Sequence, residues 1–234
     1  RQVQEAKTAM LSIYKMLSPS SGEPLVAPTY EIVLGCYYLT LIKEGARGEG
    51  SRYRDMADAM MAHDAGLIEL QSKVLVRSDN IEQKWIETSP GRIIFNNILP
   101  EEVRRYDIVV DKKVLKELVA ECYRIAGNEA TARILDDIKA QGFHYATLSG
   151  TTIGITDIQV PPEKSGLVEE AEGHVETLED QYEQGLITEK EKYNRTVAIW
   201  QGVSNKMDEV IQKHLPEFGG IYVMAHSGSR GNEA

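Results

Sequence analysis

Cysteine is scarce in this 234-residue sequence, which holds only Cys36 and Cys122. Two are too few for a disulfide framework, and neither lies in a CxxC pair of the kind that holds zinc. Both read as buried free thiols of a reducing cytoplasm. Long apolar runs are missing as well: none approaches the ~20 residues of a membrane span. The opening Arg1-Gln2-Val3-Gln4-Glu5-Ala6-Lys7 lacks the apolar stretch of a secretory signal. Positive charge is in short supply, with 26 Lys and Arg against 36 Asp and Glu and a net charge of −10. That balance argues against a surface built mainly to grip phosphate backbones.

Enzyme signatures are equally sparse. The five histidines show neither HxxxH nor HExxH spacing, so nothing in their pattern points to zinc. His226 stands beside Ser227 and Ser229, but adjacency in sequence does not create a nucleophile, a base and a group to orient it. Asp136 and Asp137 are helical neighbours pointing about 100° apart, which suits a solvated face better than a metal clamp. The glycine-rich stretch 44–50 has no GK[ST] ending and reads as a solvated loop, not a phosphate cradle.

What is present is enough to fold. Apolar residues make up 42% of the chain, and its length suits one large domain or two modest ones. Helical spacing runs through residues 2–16, and the Ser18–Pro24 cluster should reverse the chain. Thr29 can cap a short helix through Leu34, and the aromatic-rich Cys36–Thr40 reads as a strand. Ser51 is expected to start a helix that Gly66 closes. Lys73–Arg77 and Lys84–Thr88 suit a hairpin across the turn residues Ser78, Asp79 and Asn80. Asp107–Val110 reads as a further strand. Lys112–Ala126 is an amphipathic helix with Val114, Leu115, Leu118, Val119, Cys122 and Ile125 inward. Gly127 ends it and Asn128 caps the next, which carries Ala132, Leu135 and Ile138 inward and stops at Gly142. Short extended pieces follow at Ile153–Ile155 and Ile158–Val160.

After Pro162 the composition shifts. From Glu163 to Gln184 the only basic residue is Lys164, while Val168, Ala171, Val175, Leu178 and Tyr182 recur at steps of three and four. Gly185-Leu186-Ile187-Thr188 interrupts the pattern. Thr188 with Glu191 then makes a capping box. The second helix places Tyr193, Val197, Trp200, Ser204, Met207, Ile211 and His214 on one stripe. The expectation is a projecting antiparallel helical hairpin over about 162–215, a coiled coil whose acidic face is either an ordinary solvated surface or a lure for a basic partner. The fold class expected is α+β and mostly helical, a mixed α/β region followed by this hairpin.

Several phrases together resemble the β′ subunits of bacterial DNA-directed RNA polymerases. They are Leu17-Ser18-Pro19-Ser20-Ser21-Gly22-Glu23-Pro24-Leu25-Val26-Ala27-Pro28-Thr29, Val33–Thr40, Gly91-Arg92-Ile93-Ile94-Phe95-Asn96 with Ile98-Leu99-Pro100, Gly142–Thr147, Ile158–Lys164, Gly185–Thr188 with Tyr193-Asn194, and Ile221–Ala225 with Ser227-Gly228-Ser229-Arg230-Gly231. They keep family order and cover essentially the whole chain.

The resemblance implies a pore region over 1–149 and a funnel region over 150–234, with the rim hairpin of the secondary channel inside the latter. It implies nucleotide entry through that channel and docking of cleavage and regulatory factors on the rim. The hairpin-tip residues concerned are Asp180, Glu183, Gly185, Leu186, Tyr193 and Asn194. Arg230 matches the family arginine that faces the incoming nucleoside triphosphate. The implied partners are the β, α and ω subunits, secondary-channel transcription factors, NTPs, the RNA 3′ end and DNA, with no membrane. The implied location is the cytoplasm, at the nucleoid. The implied nucleotidyltransferase chemistry uses Mg2+, held by an aspartate motif expected just before Arg1, so this piece carries no catalytic residue and should be inactive alone. Arg1 opens inside a helical pattern and Ala234 follows no cap, so both ends are expected to be cuts in a longer chain. The sequence departs from the family at Tyr14-Lys15, at Tyr30-Glu31 and at His226, where many members carry Asn-Asn, Gln-Asp and Asp. Family roles do not carry over to Tyr14, Lys15, Tyr30 or His226. The alternative reading is a stand-alone cytoplasmic adaptor whose acidic hairpin binds a basic partner.

Overall fold

The structure, a computed structural model, describes residues 2–231 apart from 19, 21, 23 and 78–84. The fold is α+β and mostly helical, and the chain divides into two compact units. The first contains the described residues up to Thr151 together with Met224–Gly231, and the second contains Thr152–Val223.

In the first unit the helix expected over 2–16 is broken. α1 (Gln2–Glu5) passes into a wider π turn at Ala6–Met10, Leu11 is extended, and Ser12–Lys15 is a 3₁₀ turn. No residue from 2 to 15 is buried, so tertiary packing does not hold the segment to one helical geometry. The chain then reverses as expected around Gly22, where Leu17 bridges Pro24, although Pro19, Ser21 and Glu23 lie outside the described residues.

α2 (Glu31–Thr40) absorbs both the short helix and the strand expected there. Val33, Cys36, Tyr37 and Thr40 recur at helical spacing and are all buried. Their packing overrides the β preference of the aromatic run. Tyr30, not Thr29, precedes the helix, and no side chain caps it. α2 crosses α5 (Lys112–Ser149) at a pair of glycines. A Cβ on Gly35 would lie 2.8 Å from the Ala146 nitrogen and would overlap the Gly142 carbonyl oxygen. Gly142 is therefore a contact glycine and not a helix stop, and α5 runs on to Ser149, where Gly150 at φ 57° caps it. The break expected at Gly127 is present, with φ 73° and ψ −177° inside α5. Ile125, expected inward, is exposed, while Thr131, Ile134 and Ile138 form the buried stripe beyond the break.

The sheet is small. β1 (Arg52–Tyr53) runs parallel to β2 (Val74–Arg77), and β3 (Trp85–Thr88) pairs antiparallel with β2 in the register Val74 to Thr88 and Arg77 to Trp85. The hairpin pairing agrees with the expectation, while its turn, residues 78–84, lies outside the described residues. The helix expected from Ser51 starts later, as α3 (Met56–Asp64), because Asp55 accepts the Asp58 N–H and caps it while Arg52 and Tyr53 join the sheet. Ser89 caps α4 (Pro90–Asn96), with Pro90 in the first turn. Asp107–Val110 joins no described strand. Val110 N–H instead donates to the buried Thr40 hydroxyl at 2.9 Å. The main core gathers Val33, Cys36, Leu39, Phe95, Leu118 and Ile138 between α2, α4 and α5, and a second cluster sits under the sheet. Both cysteines are unlinked and buried, and burial pushes their thiols up, Cys36 to about 12 and Cys122 to about 11.

In the second unit a 3₁₀ turn at Ile155–Asp157 replaces part of the extended pieces expected there. α6 (Glu163–Glu183) and α7 (Glu189–His214) then pack side by side. Lys192 reaches Glu179 at 2.7 Å and His214 reaches Glu163 at 3.1 Å, so the two helices are antiparallel. Ala171 and Leu178 lie buried in the seam as expected. On α7 the seam is shifted by one residue near the turn: Lys192, Thr196, Ile199 and Val203 face inward, and Tyr193, Val197 and Trp200 are exposed. On α6 the same shift is present, with Gln181 half-buried and Tyr182, expected in the seam, exposed. α8 (Gly220–His226) follows a 3₁₀ turn at Leu215–Phe218.

Candidate functional site

Two groups of side chains stand out, one in each unit. The first is the closed end of the α6–α7 hairpin. Three backbone bonds wind up α6: Gln184 N–H to Asp180 C=O at 3.0 Å, Gly185 N–H to Tyr182 C=O at 2.9 Å and Leu186 N–H to Gln181 C=O at 2.9 Å. Gly185 takes φ 70°, the left-handed geometry that lets these carbonyls be satisfied. The capping box then starts α7. Thr188 Oγ1 accepts the Glu191 N–H at 3.3 Å, and Glu191 accepts the Thr188 N–H at 2.9 Å. That backbone bond, followed by the Thr188 hydroxyl, holds the Glu191 carboxyl below the usual carboxylate range.

Asp180, Glu183, Gly185, Leu186, Tyr193 and Asn194 are all exposed on this end of the hairpin. Leu186 in the turn and Tyr193 in the first part of α7 are each 69% exposed. Lys192 lies 5.1 Å above the Tyr182 ring, and Tyr182, Lys192, Tyr193, Glu189 and Thr196 line a shallow pocket of about 300 Å³. The end of the hairpin therefore offers a rigid backbone, apolar anchors and a rim of mixed charge. Such a surface can hold a protein partner by area and select it by charge.

The second group surrounds Arg230. A braced loop presents it. Ser227 and Ser229 are buried; the Ser229 hydroxyl donates to the Met224 carbonyl at 3.1 Å, and the single Ser227 hydroxyl hydrogen is within reach of either Ser229 Oγ at 3.0 Å or the Met224 carbonyl at 3.2 Å. These serines thus hold the loop's shape. The Arg230 N–H closes the loop on the Met224 carbonyl, and the Ser227 carbonyl accepts the Lys112 N–H at the start of α5. The Arg230 guanidinium donates to Glu31 Oε1 at 2.7 Å and sits 5.4 Å over the Tyr30 ring. The Glu31 carboxyl is held low by its own backbone N–H first and by Arg230 next. Sequence reading singled out Arg230 but not its partner, which is 199 residues away. Of the departures noted above, Tyr30 and Glu31 belong to this group. The His226 ring packs edge-on against Tyr37 at 6.1 Å, and Tyr14 and Lys15 are exposed on the 3₁₀ turn.

Among the described residues no three His, Cys, Asp or Glu side chains converge in a way that could hold a metal ion. No helix among them is long and apolar enough to cross a membrane.

Comparison with known proteins gives a single direction. Residues 15–158 match the family model described as RNA polymerase Rpb1, domain 3. The DNA-directed RNA polymerase subunit β′ of Desulforudis audaxviator is 45% identical over 228 residues, covering 97% of this chain and 20% of its own length. That of Pelotomaculum thermopropionicum is 44% identical over 228 residues, covering 97% and 19%. That of Chloroflexus aggregans is 38% identical over 278 aligned residues, covering 98% and 18%. The chain thus spans about a fifth of the length of the curated relatives it matches.

Proposed function

This chain belongs to the family of bacterial DNA-directed RNA polymerase β′ subunits, and on that premise we propose that it forms the wall and rim of the polymerase's secondary channel. The first unit serves as the pore wall and the α6–α7 hairpin as the rim on which cleavage and regulatory factors dock. The reading as an adaptor unrelated to transcription falls with the family assignment. The observation that carries the proposal is the end of the hairpin. It is capped on both helices, yet it leaves Leu186 and Tyr193 largely bare beside the acidic Asp180 and Glu183.

The acids steer a basic partner and the bare side chains anchor it. Replacing Asp180 and Glu183 together by lysine, in the holoenzyme, is expected to weaken a secondary-channel factor by roughly five-fold at low ionic strength and by less as salt rises. Unchanged affinity at low salt would remove the hairpin end from the docking surface.

In the same reading Arg230 meets the incoming nucleoside triphosphate. A planar guanidinium presents two parallel N–H donors to two phosphate oxygens, and only part of its donor set is engaged by Glu31. Arg230→Ala in the full polymerase is expected to raise the apparent KM for nucleotides about five-fold, the loss of one charge-assisted contact. A wild-type KM would take Arg230 out of the nucleotide path. The Mg2+ of the full enzyme supplies charge neutralisation at the reacting phosphates. Its ligands belong to parts of the β′ subunit beyond this chain, which would not polymerise nucleotides by itself. The setting is the bacterial cytoplasm, alongside the β, α and ω subunits, DNA and the RNA 3′ end.

A further inference from the structure

Arg230 is an exposed, flexible side chain type held in one place by two residues that neither charge counting nor motif spacing would select. Its guanidinium lies over the Tyr30 ring at 5.4 Å, inside the range at which a cation is drawn to an aromatic face. Its Nη2 donates to Glu31 Oε1 at 2.7 Å, a charge-assisted geometry. Both contacts come from consecutive residues at the start of α2, and Tyr30 adopts φ 50° and ψ −122°. Tyr30 is the one non-glycine residue at positive φ among the described residues. A tyrosine held there costs energy that the surrounding structure must supply, and such outliers gather where geometry serves a task. The backbone that feeds Arg230 is fixed from the other side by the Ser227–Ser229 brace.

We infer that Glu31 and Tyr30 are positioning residues for Arg230: the ring is a platform below the guanidinium and the carboxylate a clamp at one edge, leaving the remaining donors aimed at phosphate. The inference rests on the reading of Arg230 as a nucleotide-facing group. Its chemistry is pre-organisation. A free arginine must lose side-chain freedom when it meets a triphosphate, whereas one already held meets it at lower cost. Glu31 does not touch the nucleotide; it acts through Arg230 alone. The Tyr30 ring can hold a cation without adding negative charge, which a second acid there would do at the expense of phosphate attraction.

The test is nucleotide titration of single-nucleotide addition by the full polymerase carrying Arg230→Ala, Glu31→Ala, Glu31→Gln or the Arg230→Ala, Glu31→Ala pair. Glu31→Ala is expected to raise the apparent KM about three-fold, in keeping with a half-exposed clamp, and to change kcat less. Glu31→Gln keeps the acceptor oxygen and should recover most of that loss. In the Arg230→Ala background, Glu31→Ala should add nothing further, because its route is gone. If Arg230→Ala raises KM while Glu31→Ala behaves as wild type, the clamp is refuted and the role of Arg230 stands. If the two substitutions raise KM additively, Glu31 acts by another route and the inference is again refuted. A wild-type KM for Arg230→Ala refutes the reading beneath it, and the clamp with it.

Discussion

Gly35→Ala is expected to destabilise the first unit by about 3 kcal/mol, near the upper end of what overpacking of a filled interior costs. The new Cβ would overlap the Gly142 carbonyl oxygen and lie 2.8 Å from the Ala146 nitrogen. These are backbone atoms of a helix, so no rotamer change can clear the way, and α2 and α5 must move apart. For a chain of this size the loss corresponds to a fall in Tm of roughly 6–12 °C. Gly166 and Gly173, on α6, provide the contrast, because a Cβ at either meets nothing within 4 Å. Replacing either by alanine should instead stabilise the hairpin by about 0.5–1 kcal/mol through helix propensity. Thermal unfolding followed by circular dichroism separates the two classes. A Gly35→Ala protein melting within a degree or so of the parent would mean that α2 and α5 do not cross at this point. The effect also has a functional side. Glu31 sits one turn before Gly35 on the same helix, so a displaced α2 should carry the carboxylate off Arg230 and reproduce the KM defect expected of Glu31→Ala.

The crossing of α2 and α5 shows where sequence reading stops. Elements whose cause is local were legible: the capping box at Thr188 and Glu191, the helix break at Gly127 and the β2–β3 pairing all follow from neighbouring residues. Elements decided by a distant partner were not. Cys36–Thr40 has a strand-like composition and is a helix because α5 covers it. Gly142 looks like a terminator until Gly35 is placed against it. The seam of α7 was misread by one position near the turn because Tyr193, Val197 and Trp200 are as apolar as Ile199 and Val203 beside them, and periodicity alone cannot choose between adjacent stripes. The hairpin-end residues could be singled out because they cluster around one turn, whereas the Arg230–Glu31 pair spans most of the chain and left no local signal.

Asn96→Ala is expected to cost about 3 kcal/mol, because three hydrogen bonds converge on one buried amide and their partners have nowhere else to go. Asn96 is 1% exposed. Its Nδ2 donates to the Arg92 carbonyl at 2.8 Å and the Arg105 carbonyl at 2.9 Å, and its Oδ1 accepts the Arg105 N–H at 2.7 Å. The orientation is forced, since a backbone N–H can only donate and the two carbonyls can only accept. Alanine orphans the Arg105 N–H and C=O and leaves a void as well. Asn96→Asp makes a sharper test. It keeps the shape and the Oδ1 acceptor but turns an oxygen toward two carbonyl oxygens, so the ionised form is disfavoured in the folded state and the folded pKa rises above the unfolded value of about 4. The folded protein then binds more protons than the unfolded one in the window between those two values, and stability must fall as pH rises through it. Denaturant unfolding at several pH values should therefore show the Asn96→Asp deficit smallest near pH 4 and largest at neutrality, while the Asn96→Ala deficit stays level over the same range. A flat deficit for aspartate would mean that position 96 is open to water and that the strap joining α4 to the Arg105 segment is held by something other than this amide.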